Sequence, residues 1–267
     1  MTAGAETAAF FDLDKTIIAK SSTLAFGRPF YQGGLINRRA VVRSAYAQFV
    51  FALSGADEDQ MERMRDYLTA MCTGWDVQQI RDIVEETLHE IIDPIVYGEA
   101  VALIESHKAA GREVVIVSSS GSEVVGPIGE MVGADHAIAT RMVVADGKYT
   151  GEIEFYAYGR YKADAIRALA AERGYDLTRC YAYSDSITDL PMLEAVGHPA
   201  AVNPDRALRR EAQARGWSVL TFSNAVPLRE RLPELRAPGP AVTVGLAAGA
   251  AAVAGAAVLV SRRRSRA

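Results

Sequence analysis

The sequence is poor in cysteine and carries no large excess of one charge. Its two cysteines, Cys72 and Cys180, lie far apart and belong to no Cys-x-x-Cys pair. This spacing argues against a disulfide framework or a zinc site and fits a reducing compartment. The formal net charge is only −4, and basic residues do not alternate with aromatic ones in a binding pattern. We therefore expect no nucleic acid partner.

Two further signals are missing from the sequence. The amino-terminal apolar run Ala8–Phe11 is too short for a secretory signal and ends at Asp12. Because no secretory signal is present, we expect the bulk of the protein to lie in the cytoplasm. The four histidines share no metal-ligand spacing, so we interpret them as structural or exposed.

The composition is that of a globular protein with a sizeable core, since 49% of the residues are hydrophobic and 23% are charged. A length of 267 residues predicts one large domain with an insertion, or two domains. Short apolar runs such as Glu113–Val117 alternate with helical segments, which favours a parallel sheet. The predicted fold class is α/β: a Rossmann-like parallel sheet with helices on both faces, an inserted all-helical cap and a C-terminal apolar helix.

One long helical stretch sets the predicted domain boundaries. From about Ser21 to Asp93, apolar residues recur at helical spacing, and Asp57 and Asp76 are suitable N-caps. We predict a catalytic core over 1–20 and 95–235, a helical cap over 21–94, and a linker, transmembrane tail and basic end over 236–267.

Four polar clusters follow predicted strands or open a predicted helix. They are Asp12–Thr16, Ser118–Ser120, Lys162 and Ser184–Asp189. In open α/β sheets, functional groups collect beyond the carboxyl ends of the strands, so we expect all four clusters at one edge. Together they supply the carboxylates, hydroxyls and ammonium that phosphoryl transfer needs. Taken alone, each cluster is equally typical of a turn, a helix cap or a solvated lysine, and only their combination favours an active site.

On these motifs, the sequence resembles the haloacid dehalogenase superfamily, in its phosphoserine-phosphatase-like subfamily with a helical cap. The resemblance extends from Ala8 to about Phe222. The matching residues are Asp12, Asp14 and Thr16 in the first motif, Ser118 in the second, Lys162 in the third, and Asp185 and Asp189 in the fourth.

The resemblance implies a magnesium-dependent phosphoric monoester hydrolase. Asp12 would attack phosphorus and carry the phosphate, and Asp14 would give a proton to the leaving oxygen and later take one from water. A spacing of two in an extended strand puts both side chains on the same side. Mg²⁺ would bind a carboxylate oxygen of Asp12, the main-chain carbonyl of Asp14, and Asp185, since magnesium prefers oxygen ligands.

The resemblance also implies how the phosphate is held. Ser118 and Lys162 would bind it, with backbone N–H groups near Ser119 as further donors. Asp189 would support the loop or a metal-bound water. These roles rest on the matching motifs.

The sequence departs from the subfamily at two positions. Ser21 stands where phosphoserine phosphatases carry a Glu that binds the substrate amine, and Ser184 stands where the fourth motif usually has a Gly. We therefore predict a phosphatase for a small-molecule or lipid phosphate ester that is not specific for phosphoserine. The alternatives are a phosphotransferase that uses the same intermediate, or a non-catalytic regulatory or binding protein on this fold.

The carboxyl-terminal segment has the length of a membrane span. Residues 241–260 are apolar apart from Thr243, and arginines follow them. We predict a cell-membrane protein with a C-terminal span and a cytoplasmic catalytic domain; the alternative is an Ala-rich disordered extension on a cytoplasmic protein. Gly245 and Gly249 form a small-xxx-small step that could pack two tails together as a homodimer.

Overall fold

The computed structural model of the protein describes residues 6–36, 66 and 69–224. Seven strands form one sheet in the order β4-β3-β2-β1-β5-β6-β7. Their bounds are Ala8–Phe11 (β1), Glu113–Gly121 (β2), His136–Ala145 (β3), Lys148–Phe155 (β4), Tyr181–Ser184 (β5), His198–Val202 (β6) and Ser218–Leu220 (β7).

The sheet is parallel except for its β3–β4 hairpin. The hairpin turns at Asp146 and Gly147, whose φ angles of 49° and 75° suit a tight turn between twisted strands. Both the parallel α/β sheet and the hairpin at Asp146-Gly147 are confirmed predictions.

The helices connect and cover these strands. Their bounds are Ser22–Ala25 (α1), Gly27–Gln32 (α2), Val77–Ile91 (α3), Gly98–Ala109 (α4), Ser122–Val132 (α5), Arg160–Arg173 (α6), Leu190–Glu194 (α7) and Arg206–Arg215 (α8). Single turns of 3₁₀ helix lie at Asp93–Ile95, Leu177–Arg179 and Ile187–Asp189.

Between β1 and β2, the described residues form helices and no strand. Helix α3 begins at the predicted N-cap, because the side chain of Asp76 accepts a hydrogen bond of 3.0 Å from the Gln79 N–H. The predicted helices over 41–53 and 58–71 lie wholly or mostly outside the described residues. The predicted domain boundaries therefore stay a prediction.

The core consists of apolar strands between helical layers. All four residues of β1 are fully buried, as expected for a central parallel strand covered on both faces. Phe10 packs in a cluster with Ile166 of α6, Met192 of α7 and Leu208 of α8. The helices are thereby fixed against the strands whose carboxyl ends carry the polar motifs.

Two local predictions differ from the structure. The strand expected to end at Val117 continues to Gly121, because β2 goes on pairing with β3 across an irregularity between Ser118 and Gly121. Helix α5 then follows directly and was not predicted.

The predicted C-terminal apolar helix at 241–260 lies outside the described residues. Within residues 6–36 and 69–224, every helix is too short or too polar to cross a lipid bilayer.

Candidate active site

The carboxyl ends of three neighbouring strands bring the polar motifs together. β1 pairs with β2 on one side and with β5 on the other, with Phe11 opposite Ile116 and Tyr183. Asp12 continues directly from β1, and its N–H donates to the Tyr183 carbonyl at 2.9 Å. The first and fourth motifs therefore start side by side at one edge of the sheet.

Lys162 joins the first motif to the fourth. Its Nζ donates to Asp12 Oδ1 at 2.7 Å and to Asp189 Oδ2 at 2.8 Å. All three residues are buried. They come from positions up to 177 residues apart in the chain, counted as 189 minus 12, so only the fold explains their meeting.

Ser184 takes part in the same network. Its Oγ donates to Asp189 Oδ2 at 2.7 Å and accepts from the Ser186 N–H at 3.2 Å. The serine that replaces the subfamily glycine is thus a fully buried hydrogen-bonding residue. It holds the Asp189 oxygen that also faces Lys162.

Burial and neighbouring charges together set the pKa values of these side chains. Burial alone would lower the pKa of Lys162, but the Asp12 and Asp189 carboxylates outweigh it and raise that pKa above its usual range. Burial raises the pKa of Asp12 well above its usual range, although the Lys162 ammonium opposes the rise. The Asp189 and Asp185 carboxylates raise it further. Lys162 therefore stays charged, while Asp12 needs more positive charge nearby to be fully ionised.

Asp185 is the second desolvated carboxylate of the site. Burial raises its pKa to about 7, although Lys15 opposes the rise, with its Nζ 3.9 Å from Asp185 Oδ2. Its loop is fixed by Asp205, whose carboxylate accepts from the Ile187 N–H at 2.9 Å. The Asp205 N–H in turn donates to the Asp185 carbonyl at 2.8 Å.

Asp14 lies on a tight turn after Asp12. Lys15 has a φ of 60°, in the left-handed region that non-glycine residues seldom adopt. The turn lets the Ile17 N–H donate to the Leu13 carbonyl at 2.9 Å. Asp14 Oδ1 accepts from the Ser22 N–H at 2.8 Å. Burial raises the pKa of Asp14, and the Ser22 hydrogen bond opposes that rise, so the carboxyl is suited to hold a proton.

The serines of β2 alternate in exposure. Ser118 is buried, Ser119 is exposed and Ser120 is buried. Ser118 Oγ accepts from the Ser120 N–H at 3.2 Å, and the Ser119 carbonyl accepts from Thr140 Oγ1 at 2.7 Å. The backbone of this segment is therefore fixed by one hydrogen bond within β2 and by one from β3.

The structure adds contacts that sequence reasoning missed. Ser22, which belongs to none of the four polar clusters, shares a buried hydrogen bond of 2.8 Å between Oγ atoms with Ser120 of the second cluster. The two residues are 98 positions apart, and no motif links them. The Asp205 side chain caps α8, where it accepts from the Ala207 and Leu208 N–H groups at 2.9 Å and 2.8 Å, and its second role in the Asp185 loop could not be deduced from spacing.

The residues present fit a magnesium ion. Among the described residues, no three His, Cys, Asp or Glu side chains are grouped to hold a metal by themselves. Asp12 and Asp185 could hold one together with the main-chain oxygen of Asp14 and water, because magnesium accepts few protein ligands and keeps waters. A cation between these two desolvated carboxylates would also stabilise their charged forms and so offset the effect of burial on both pKa values.

This chain matches a known protein family and is similar to known proteins over most of its length. The model of the haloacid dehalogenase-like hydrolase family matches residues 9–194. An "Inhibition of morphological differentiation protein" of Streptomyces azureus is 66% identical over 262 residues, covering 97% of this chain and 95% of that protein. A probable phosphatase of Mycobacterium tuberculosis is 66% identical over 249 residues, covering 92% and 87%. A phosphoserine phosphatase of the same species is 36% identical over 261 residues, covering 97% and 82%.

Solved structures give the same fold. A Bordetella pertussis protein of unknown function superposes with a TM-score of 0.71 at 30% identity, covering 81% of this chain and 98% of that one. A phosphoserine phosphatase solved as a phospho-aspartyl intermediate analogue gives a TM-score of 0.58 at 20% identity, covering 87% and 100%. At that identity, the second structure supports the fold alone.

Proposed function

The chain belongs to the haloacid dehalogenase-like hydrolase family and is a phosphatase, and from this premise we propose that it cleaves a phosphomonoester through an aspartyl-phosphate on Asp12. The resemblance stated from four sequence motifs is thereby confirmed at the level of the family. The roles of the individual residues are part of the proposal.

One observation carries the proposal most strongly. The buried Lys162 ammonium lies within hydrogen-bond distance of the Asp12 and Asp189 carboxylates, which supports Asp12 as the nucleophile and Lys162 as the cation that binds the phosphate. An ammonium with a raised pKa stays protonated beside a phosphate and can neutralise its oxygens. Asp12 lies at the carboxyl end of β1, where α/β proteins bind ligands.

The proposed reaction has two steps. An Asp12 oxygen attacks phosphorus, the ester P–O bond breaks, and Asp14 gives its proton to the leaving oxygen. Asp14 then takes a proton from water as the water oxygen attacks phosphorus, which breaks the bond to Asp12 and releases inorganic phosphate. Ser118 and Lys162 hold the phosphate through both steps, with Ser119 supplying backbone donors.

We further propose Mg²⁺ as the cofactor, held by Asp12, Asp185 and the main chain at Asp14. When bound, the metal supplies positive charge to the phosphate oxygens and keeps Asp12 ionised. Asp189 then supports the loop or a metal-bound water and does not bind the metal directly, because its carboxylate is already bound to Lys162 and Ser184.

The proposed substrate is a small-molecule or lipid phosphate ester other than phosphoserine. Ser21 offers no charge to a substrate amine at the position where the subfamily has Glu. The apolar residues 241–260 support a lipid ester and membrane association.

The proposal is tested with a panel of soluble and lipid phosphate esters, assayed with Mg²⁺ and with EDTA. We expect Mg²⁺-dependent release of phosphate and, from a radiolabelled ester, a hydroxylamine-sensitive acyl phosphate on the protein. Asp12→Asn should abolish both, because it removes the anionic nucleophile, while Asp164→Asn on the exposed face of α6 should change neither. An Asp12→Asn chain that still turns over would exclude the covalent route. Phosphate appearing on added alcohols instead of water would establish the phosphotransferase.

The membrane part of the proposal has its own test. Fractionation of cells that express the full chain, or a chain without residues 237–267, compares the distribution of the protein between membrane and soluble fractions. We expect only the full chain in the membrane fraction. Equal distribution of the two chains would contradict the span and support the cytoplasmic alternative.

A further inference from the structure

The cap side of the site contains a hydrogen-bonded network that the proposed mechanism does not use. Ser22 is the first residue of α1, and its N–H donates to Asp14 Oδ1 at 2.8 Å. Its Oγ lies 2.8 Å from Ser120 Oγ. The Ser120 N–H donates to Ser118 Oγ at 3.2 Å. Two hydrogen-bonded serines, Ser22 and Ser120, therefore link the proposed acid–base residue to the proposed phosphate-binding serine.

We propose that Ser22 and Ser120 are positioning residues that set the direction of the Asp14 carboxyl for proton transfer to the leaving group. The inference rests on the proposed function and adds two residues to it. Neither serine touches the reacting atoms in this account. They act through Asp14.

Burial makes this pair more than a surface contact. Ser22 is fully buried and Ser120 is 8% exposed, so an unpaired hydroxyl in either position would carry the full cost of desolvation. Because the side chain of Ser22 is held by Ser120, its backbone N–H has a fixed position relative to the core. Asp14 accepts from that N–H and also from the Ser22 and Ser21 hydroxyls, so its orientation depends in part on Ser120, which anchors Ser22 to β2.

The location of the pair also explains why the effect concerns proton transfer. Asp12 is held separately, by Lys162 and by the Tyr183 carbonyl, and does not depend on Ser22. Removal of either hydroxyl should therefore loosen Asp14 and leave the nucleophile in place. A loosened acid matters most when the leaving oxygen is strongly basic.

Two esters of nearly equal shape separate this role from a general structural one. Phenolate is a stronger base than p-nitrophenolate, so phenyl phosphate needs the proton from Asp14 more than p-nitrophenyl phosphate does. The value of kcat/KM reports the steps through ester cleavage and excludes the later hydrolysis of the phosphoenzyme. Ser22→Ala and Ser120→Ala should each lower kcat/KM for phenyl phosphate about tenfold or more, and for p-nitrophenyl phosphate by about threefold or less.

A double-mutant cycle and two controls complete the experiment. The Ser22→Ala/Ser120→Ala chain should be no slower than the slower single variant, because both changes break one bond. Ser120→Thr keeps a hydroxyl and should restore the ratio, and Thr23→Ala, exposed on the same helix, should leave it unchanged. Parallel losses on both esters, or additive losses in the double variant, overturn the inference alone. A wild-type chain that cleaves neither ester overturns the proposed function and this inference together.

Discussion

Lys162 is the side chain on which the geometry of the site depends most. It is 2% exposed and contacts two carboxylates that are also buried. Removing one partner from such a buried ionic group costs far more than removing a surface pair, because the remaining charges lose both water and counterion. The same residue thus serves stability and the proposed chemistry.

The substitution Lys162→Met tests this double role. We expect at least a 100-fold loss of phosphatase activity, because a charge that stabilises the transferring phosphoryl group is gone. We also expect a loss of about 3 kcal/mol in unfolding free energy from urea titration. Lys148→Met, at an exposed position, is the matched control and should alter both quantities little. An unchanged unfolding free energy in Lys162→Met would show that the buried ionic network makes no net contribution to stability.

The substitution Asp14→Asn separates the two proposed proton transfers. p-Nitrophenolate leaves without much help, so the first step should continue, while water attack on the phosphoenzyme should slow about 100-fold. Rapid mixing should then show a burst of about one equivalent of p-nitrophenol followed by slow turnover. Asp82→Asn, exposed on α3, should give no burst beyond that of the wild-type chain. Absence of a burst with slow turnover throughout would contradict this expectation and show that the first step needs Asp14 even for this leaving group.

At the residue scale, the sequence predicted members of the site better than contacts within it. The motif spacing identified Asp12, Lys162 and Asp189, which the structure joins by two hydrogen bonds. It could not identify the Ser22–Ser120 bond, since serines are common and nothing in local spacing links positions 98 residues apart. Their function stays a prediction until the variants are measured.

At the scale of elements, two glycines illustrate opposite constraints. Gly197 precedes β6, and a Cβ added there would lie 1.8 Å from the Thr178 carbonyl oxygen, whose backbone would have to move. Gly126 lies inside α5, and a Cβ added there meets nothing within 4 Å outside its own helix backbone and its chain neighbours, one of which is Pro127. The first glycine is required by a close approach of two segments, and the second only weakens its helix.

These contacts predict effects of different size. Gly197→Ala should lower the unfolding free energy by about 1–3 kcal/mol through steric strain. Gly126→Ala should change it by less than about 1 kcal/mol, because the gain in helix propensity is opposed by the Pro127 ring, which disfavours a helical backbone at the residue before it. Thermal melting of the two variants beside the wild-type chain measures both. A Gly126→Ala protein destabilised as much as Gly197→Ala would contradict this difference.

The same helix shows why part of the fold could not be predicted. α5 contains Gly126 and Pro127, which both lower helix propensity. Its formation depends on tertiary packing, with Val125 and Ile128 fully buried. By contrast, α3 has a regular apolar stripe and a capping aspartate, and both are local signals that a sequence can carry.

At the scale of the whole molecule, a buried histidine links a helix to the central sheet. His107 of α4 lies 2.8 Å from the Tyr183 hydroxyl through Nε2 and 3.4 Å from an Arg112 guanidinium nitrogen through Nδ1. Because arginine only donates, Nδ1 accepts and Nε2–H donates to Tyr183, which requires a neutral ring. Burial, assisted by Arg112, lowers the pKa of His107 to about 4.

This shift predicts part of the pH dependence of stability. The unfolded chain takes up a proton on His107 below its ordinary pKa of 6.5, whereas the folded chain does so only near 4. The contribution of His107 is therefore complete above pH 6.5, is lost progressively as the pH falls from 6.5 to 4, and is constant below that range. The melting temperatures of His107→Gln and wild type, plotted against pH, should converge as the pH falls from 6.5 to 4. His89→Gln, at an exposed position, should run parallel to wild type, and parallel curves for His107→Gln would show that the ring titrates normally.

The scarcity of cysteine gives the protein an experimental advantage. Cys180 is fully buried and its Sγ accepts from the Ala8 N–H at 3.2 Å, while burial raises the pKa of Cys72 to about 12. Only the thiolate reacts readily with maleimides or disulfide reagents, so both native thiols should react slowly with them in the folded state. Cysteines introduced at exposed Glu86 on α3 and Glu172 on α6 would then accept a fluorescent donor and acceptor selectively, and energy transfer between the dyes would follow the distance between these two helices during turnover.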